Sequence, residues 1–351
     1  MSAFVNNGLA SWRRSHASLL AGAMGDSLGA DIEFLSLAQI RLRFPEGLTA
    51  LPPHEGIAGA VTDDTQMTLF TAEGLIRAVV RGTLRGICHP PSVVHHALLR
   101  WYRTQGGRPA MDTDDVGLVR DQRLHAIRAP GNTCLHALRE ARAFGQPARN
   151  ASKGCGTIMR VAPVALIARP DTVFRLAMET SALTHGHPTG QIAAAAWALL
   201  LSNVMAGAAL EAAAEEIAQR CLVLDGGKET AAAIHAALNA PRDGRPETVE
   251  SLGGGWVAEE ALSIALYCSL AAADLESGLR MAVMHGGDSD STGAIAGNML
   301  GLLFPDQVFQ HPWSRQVECA DLIADLARDL HDAQMGGEGW AESAFERYPG
   351  S

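Results

Sequence analysis

The chain has 351 residues, 28 Lys plus Arg against 38 Asp plus Glu, and a formal net charge of −10; with no basic cluster to replace phosphate counterions, a nucleic-acid-binding surface is excluded. Apolar residues make up 47% and aromatics 5%, and with alanine frequent and β-branched runs scarce, this composition predicts an all-α fold whose helices meet through small side chains. No apolar run approaches the roughly 18 residues of a membrane span, and the six scattered cysteines (Cys88, Cys134, Cys155, Cys221, Cys268, Cys319) lack CxxC spacing, which reads as reduced thiols in a cytoplasmic protein.

No linker, low-complexity tract or charge block divides the chain, so residues 1–351 are read as one domain, with 1–12 as a flexible arm and 331–351 as a polar tail. Arg13-Arg14 ahead of the small apolar stretch 17–25 has the look of a twin-arginine leader. That stretch is short, however, breaks at Asp26, and continues a helical pattern through Leu19, Leu20, Ala23 and Met24. A helix is predicted over 10–30, in which Gly22, Gly25 and Gly29 let another backbone come close. Asp26 and Glu33 mark its end, with Glu33 on the loop beyond. Residues 36–61 read as a Gly/Pro-rich connection, of a length that is usually functional or mobile. Thr62-Asp63-Asp64-Thr65 follows, with hard oxygens only, and opens a helix to about Val80. Helices are also predicted over 93–102 and 132–144; Asp112, Asp114 and Asp115, between them, read first as turn and cap chemistry.

Residues 152–160, Ser-Lys-Gly-Cys-Gly-Thr-Ile-Met-Arg, form a glycine loop entering a helix, a shape that turns backbone N–H groups toward a phosphate. It lacks P-loop spacing and a preceding strand. Thr184-His185-Gly186-His187-Pro188 separates two helices, and Pro188 at a helix boundary favours capping or stacking over zinc ligation. An alanine-rich buried helix and its successor span 189–220, the segment 241–255 is the most loop-like, and an apolar helix runs from Glu259. His285-Gly286-Gly287-Asp288-Ser289-Asp290-Ser291-Thr292 then precedes a buried helix carrying Ile295, Met299, Leu302 and Leu303, which Ser291 or Thr292 is expected to cap. An amphipathic helix over 316–330 closes the pattern. Asp, Ser and Thr are ordinary N-caps, but a cap needs one side chain, and paired carboxylates at two remote helix starts repel unless a cation intervenes. Oxygen donors without a neighbouring cysteine or HExxH pair suit Mg²⁺ or Mn²⁺ better than zinc.

Gly25-Asp26 with Glu33, Thr62-Asp63-Asp64-Thr65, Gly154 to Arg160, Thr184-His185, Gly254 to Trp256 with Glu260-Ala261-Leu262, and Gly287 to Ser291 together resemble the ADP-ribosylglycohydrolase family, in its motif order and over about residues 15–305. The resemblance implies an all-α, orthogonally packed domain with a binuclear Mg²⁺ or Mn²⁺ centre that removes ADP-ribose from modified side chains or small molecules. It implies that Thr62, Asp63, Asp64 and Asp290 hold one cation and Asp288, Asp290 and Ser291 the other, with Asp290 bridging. His185 would lie against the adenosine half, and Gly154, Cys155, Gly156, Thr157 and Met159 would receive the diphosphate. Two departures stand out: the family often has Gly-Asn-Gly where this chain has Gly154-Cys155-Gly156, and threonine where it has Ser291. Serine keeps the hydroxyl ligand; cysteine drops an amide, which bears on substrate preference.

A glycosidic bond breaks through an oxocarbenium-like state, and two cations can hold ribose hydroxyls while a water is delivered to C1. Glu33, expected to stand apart from the ligand sets, is the candidate acid or base, with Asp115, followed by Val116-Gly117, the second choice. The leading expectation is hydrolysis of ADP-ribosyl-arginine on protein, with ADP-ribosyl-serine or a small ADP-ribosylated molecule as alternative substrates. The alternative is an ADP-ribose-binding or immunity-type protein that neutralises a toxin partner by contact. A two-metal phosphatase would share the carboxylates but give His185 and Gly254 to Trp256 no role.

Overall fold

Seventeen α-helices, four short 3-10 helices and one two-stranded hairpin make up the regular structure of the described residues in the computed structural model. It describes residues 2–350, and for residues 2–11 the backbone alone; the side chains of the expected arm, 1–12, lie outside the described residues up to Trp12. The first helix, α1 (Ser2–Gly29), starts earlier than the predicted 10 and ends one residue before the predicted 30, and a turn closed by Leu35 N–H on Ile32 O leaves Glu33 beyond the helix. The 36–61 connection is not all loop. Ser36 and Gln39 form a reciprocal capping box that starts α2 (Leu37–Arg43), a local signal masked by the two arginines that flank Leu42. Strands β1 (Pro53–His54) and β2 (Ile57–Ala58) then pair as an antiparallel hairpin.

Helices α3 (Asp63–Arg85) and α4 (Pro90–Thr104) outrun their predicted spans, while α5 (Asn132–Glu140) stops short of Phe144. After α6 (Ala162–Ile167) and α7 (Val173–Ser181), His187 caps α8 (Pro188–Met205) by accepting the Thr189 N–H on its Nδ1, the capping role expected from Pro188. Helix α9 (Leu210–Leu222) is the predicted successor; α10 (Lys228–Asn239) and α11 (Pro246–Glu250) were not predicted, and the latter interrupts the expected 241–255 loop. Helix α12 (Ala258–Ala271) leads through α13 (Leu275–Val283) to α14 (Ser289–Leu303), followed by α15 (Pro305–Gln310) and α16 (Ala320–Met335). The expected polar tail is packed instead: α17 (Gly337–Ala344) buries Ala341 and Ala344, and the Tyr348 hydroxyl, itself buried, bonds the Asp329 carboxylate. No helix among the described residues is long and apolar enough to cross a membrane.

One helix pair sets up everything that follows. Helices α1 and α14 run antiparallel at backbone contact: a Cβ on Gly25 would lie 2.0 Å from Gly293 O, one on Gly297 2.2 Å from Ala21 O, and one on Gly301 2.2 Å from Ala17 O. Glycines spaced by four on α14 leave a groove that α1 fills, and the end of α1 thereby reaches the start of α14, where a Cβ on Gly29 would meet Ser289 O at 2.3 Å. Gly25→Ala is expected to force the helices apart at a cost of about 3 kcal/mol or more, the upper range for overpacking. Denaturant unfolding reads this out, and a loss below about 1 kcal/mol would show that the approach can relax.

Neutral buried histidines give the fold a pH dependence. His95 on α4 is fully buried, accepts the Gly145 N–H on Nδ1 at 3.0 Å, and is pushed down to about 4 by burial and by the neighbouring Arg160 and His96 charges. Burial likewise brings His285 down to about 4. Because the folded values lie below the ordinary histidine range, the unfolded chain takes up protons first as pH falls below about 6.5, and stability is lost between there and about 4. Each such histidine contributes up to about 1.4 kcal/mol per pH unit in that window. His95→Gln keeps an acceptor for Gly145 and is expected to lose less unfolding free energy than wild type between pH 7 and pH 5; equal losses would refute the assignment.

Candidate active site

The α1–α14 contact brings together Asp290 of α14, Asp288 just before that helix and Glu33 from the turn after α1: their ligand atoms all lie within 4.8 Å of one another, an acidic group able to hold a metal ion. Asp63 and Asp64, from the start of α3, line the same cavity of about 310 Å³. The anchor of α3 is Asp26, which is fully buried and takes four donors from that helix start: Thr62 N–H and Oγ1 (2.9 Å) and Thr65 N–H and Oγ1. Asp26 thus bonds a neighbouring helix end, and in doing so fixes α3 to α1 beside Glu33.

No arginine, lysine or histidine of the described residues forms an ion pair with Asp26, Glu33, Asp63, Asp64, Asp288 or Asp290. Burial, then Asp290, drives the Asp26 carboxyl up to about 7 despite its four donors. Burial and the charges of Asp290, Asp288, Asp63 and Asp26 drive Glu33 up to about 10. Asp63, Asp64 and Asp288 rise well above the usual carboxylate range for the same first reason. Asp290 is the charge that all five others feel. Asp64, 2% exposed, keeps its Oδ1 buried without a hydrogen-bond partner. A buried carboxylate oxygen with no donor is costly unless a cation meets it, and a hard oxygen set of this kind fits a hard divalent cation.

The remaining wall comes from three remote segments. Residues 129–133 close one side, with Gly131 N–H donating to Asp63 Oδ2 at 3.1 Å. The loop 154–159 is tied by Cys155 N–H to Trp256 O (3.1 Å) and by Ala258 N–H to Lys153 O (2.9 Å), while Asp288 N–H reaches Gly254 O at 2.8 Å. The His185 ring packs against the bare faces of Gly154 and Gly156, where an added Cβ would lie 3.2 and 3.0 Å away. At the mouth, Phe34 (70% exposed) stacks on Trp256 (42% exposed), ring centroids 5.3 Å apart and 18° from parallel. Phe34 has φ +67°, a left-handed conformation that costs a non-glycine residue roughly 1–2 kcal/mol.

Most predicted site residues line this cavity: Glu33, Asp63, Asp64, Gly154, Cys155, Gly156, Met159, His185, Asp288, Asp290 and Ser291. Glu33 differs in that it joins the Asp288–Asp290 group instead of standing apart. Thr62 is buried, its hydroxyl capping α3 and lying among the Asp26, Asp64 and Asp290 carboxylates. Thr157 does not face the cavity; it is buried and donates to Gly190 O at 2.9 Å. Asp115 is a correction, since its side chain is 71% exposed on a salt bridge to Arg103, and neighbouring Asp114 is drawn inward by Arg77 and Arg100. The cap of α14 also differs: the helix starts at Ser289, so Ser291 and Thr292 lie inside its first turn, where Thr292 Oγ1 bonds Asp288 O. A larger cavity of about 690 Å³, beside Cys88, His89, His96 and Asp114, holds none of the predicted site residues; the unpaired buried carboxylates, not volume, mark the site.

An all-α scaffold with an acidic centre between two helix starts and a glycine loop against a histidine defines the class, and comparison with known proteins agrees. The model of the ADP-ribosylglycohydrolase family matches residues 9–339. The chain belongs to the ADP-ribosylglycohydrolase family and is an enzyme of that class. It is similar to the ADP-ribosyl-[dinitrogen reductase] glycohydrolase of Rhodospirillum rubrum, 24% identical over 83% of this chain and 85% of that one. An ADP-ribosylarginine hydrolase of Pseudomonas putida is 24% identical over 91% of this chain and 78% of its own length. A solved structure of an ADP-ribosylglycohydrolase-related protein complex superposes with a TM-score of 0.69 at 27% identity, covering 93% of this chain and 99% of that one.

Proposed function

We propose that the enzyme hydrolyses the glycosidic bond between ADP-ribose and a modified arginine on protein, using two divalent cations, Mg²⁺ or Mn²⁺. The observation that carries this reading is the set of buried carboxylates that no cationic side chain among the described residues pairs, with Asp64 Oδ1 left without a donor. Thr62, Asp63, Asp64 and Asp290 would hold one cation, and Asp288, Asp290 and Ser291 the other. Such a pair supplies polarisation of sugar hydroxyls and a water of lowered pKa.

The chain's own residues do the rest. His185, packed on Gly154 and Gly156, offers the adenosine half a flat edge, and the backbone N–H groups of the 154–159 loop suit a diphosphate. Glu33, a carboxyl on the cavity wall beside Asp288 and Asp290, is placed to exchange a proton with a departing nitrogen. The Phe34–Trp256 stack beside it presents aromatic faces of the sort that receive a planar guanidinium. Arginine is also the residue named for the Pseudomonas putida relative. Six free thiols support a reducing, cytoplasmic setting.

The test is product analysis on ADP-ribosyl-arginine, ADP-ribosyl-serine and O-acetyl-ADP-ribose, with and without chelator. Release of ADP-ribose from the arginine linkage, lost with chelator and restored by Mn²⁺ or Mg²⁺, is the expected result. Tight ADP-ribose or toxin binding with no release from any linkage would replace this reading with a contact-acting one.

A further inference from the structure

We propose that Cys155 is a sulfur donor at the Asp288–Ser291 end of the site, and that it biases this centre toward borderline and softer divalent cations over the hard Mg²⁺. The inference rests on the metal centre proposed above and goes beyond it by adding a ligand that is not oxygen.

The placement of the thiol is specific. Cys155 Sγ donates to Asp288 Oδ2 at 2.9 Å and lies 3.7 Å from Ser291 Oγ. At sulfur–metal and oxygen–metal bond lengths, neighbouring ligand atoms on one cation stand roughly 3 Å apart, so these spacings are those of adjacent ligands. The sulfur's contacts run to Asp288 and Ser291, not to Glu33, which assigns it to the cation those two residues would share. A second sulfur borders the same position, because Ser291 Oγ lies 3.9 Å from Met159 Sδ. Independently of the cysteine, the buried, unpartnered Asp64 Oδ1 on the wall of the same cavity calls for a cation.

The bland role for a buried cysteine is that of a small apolar side chain. Cys155 does not fit it, because its sulfur meets a carboxylate and a hydroxyl. Nor is the loop that carries the thiol free to swing away. Its backbone N–H is held by Trp256 O, and the preceding Lys153 bonds Glu229 at 2.7 Å and Glu259, pinning the loop to α10 and α12. As a hydrogen-bond donor to a desolvated carboxylate a thiol is weak, so sulfur gains over serine or asparagine only where a soft donor is useful. Thiolate donors favour the borderline and softer cations, whereas Mg²⁺ discriminates against them. On ligation the S–H bond breaks, the sulfur–cation bond forms, and the proton leaves to water.

The test is cation binding by the full chain, measured by titration calorimetry with Mg²⁺, Mn²⁺ and Cd²⁺ for wild type, Cys155→Ser and Cys155→Asn. Serine preserves the donor to Asp288 and removes only the sulfur. Wild type is expected to show a sulfur-to-Cd²⁺ charge-transfer band, and Cys155→Ser to lose the band and bind Cd²⁺ at least about 10-fold more weakly with Mg²⁺ affinity unchanged. A Cd²⁺-to-Mg²⁺ ratio that is the same in Cys155→Ser, or a wild type that binds Cd²⁺ without the band, overturns the inference while leaving the metal centre standing. A wild type that binds no divalent cation overturns both. Because Cys134 lines the same cavity and five thiols besides Cys155 are free, the band is assigned to Cys155 by its loss in Cys155→Ser, with Cys155→Asn as the second variant should one of them fail to fold.

Discussion

Asp290→Asn is expected to reverse the order of stability that cations impose. With chelator present the variant will unfold at a higher temperature than wild type, because Asp290 is the charge that raises every other carboxyl of the cluster and is itself buried. Removing a buried charge that no protein cation compensates relieves desolvation and repulsion together. With Mn²⁺ at about 100 times its dissociation constant, wild type gains roughly 2.7 kcal/mol by mass action, and a variant that has lost a shared ligand does not. The curves therefore cross as cation is added. Hydrolysis falls by at least about three orders of magnitude, since the several kcal/mol of charge stabilisation a metal provides goes with the site. Thermal unfolding with and without Mn²⁺, alongside turnover, measures both. If the variant unfolds at a lower temperature than wild type under both conditions, Asp290 is a structural carboxylate and the shared-ligand role is wrong.

Why some of this was legible follows from how local each signal is. The carboxylates at the two helix starts stood out because oxygen donors gathered before an apolar run are a pattern within a few residues, and α3 and α14 begin where that pattern lies. Glycines on α1 foretold a close neighbour but not which one; only the matching spacing on α14 makes the contact, and that is a relation between distant segments. Glu33 joined the Asp288–Asp290 group for that reason. Asp115 was chosen from a local Asp-x-Gly likeness, and the structure decides differently because two buried arginines, Arg77 and Arg100, claim Asp114 and leave its neighbour outside. The Phe34–Trp256 stack, the Gly131 donor to Asp63 and the thiol beside Asp288 carry no sequence signal, since each joins segments that only the finished fold brings together. Short helices such as α2 and α11 were missed because five to seven residues are too few for periodicity to show, although the capping box at Ser36 was there to be read.

Glu33→Gln separates proton transfer from metal binding at the one residue where the structure puts the two roles side by side. The glutamine keeps volume and hydrogen-bonding capacity but cannot give or take the proton, and general acid or base catalysis is worth about 10²- to 10⁴-fold. The Glu33 carboxyl belongs to the Asp288–Asp290 group and is pushed up to about 10 by burial and by those neighbours. Bound cations lower that value, so the role of Glu33 rests on its place beside Asp288 and Asp290. From there its carboxyl can give a proton to a departing nitrogen or take one from water. The variant is expected to bind both cations and ADP-ribose with near-native affinity and to release ADP-ribose from an arginine linkage at least about 100-fold more slowly. Calorimetry for cation and ADP-ribose, with single-turnover kinetics for release, distinguishes the outcomes. A variant that loses a cation makes Glu33 a ligand, and its place within 4.8 Å of Asp288 and Asp290 is then explained by coordination. A variant that turns over at the wild-type rate leaves the proton work to water at the centre itself, because Asp115, exposed on Arg103, is not in the cavity to take it over.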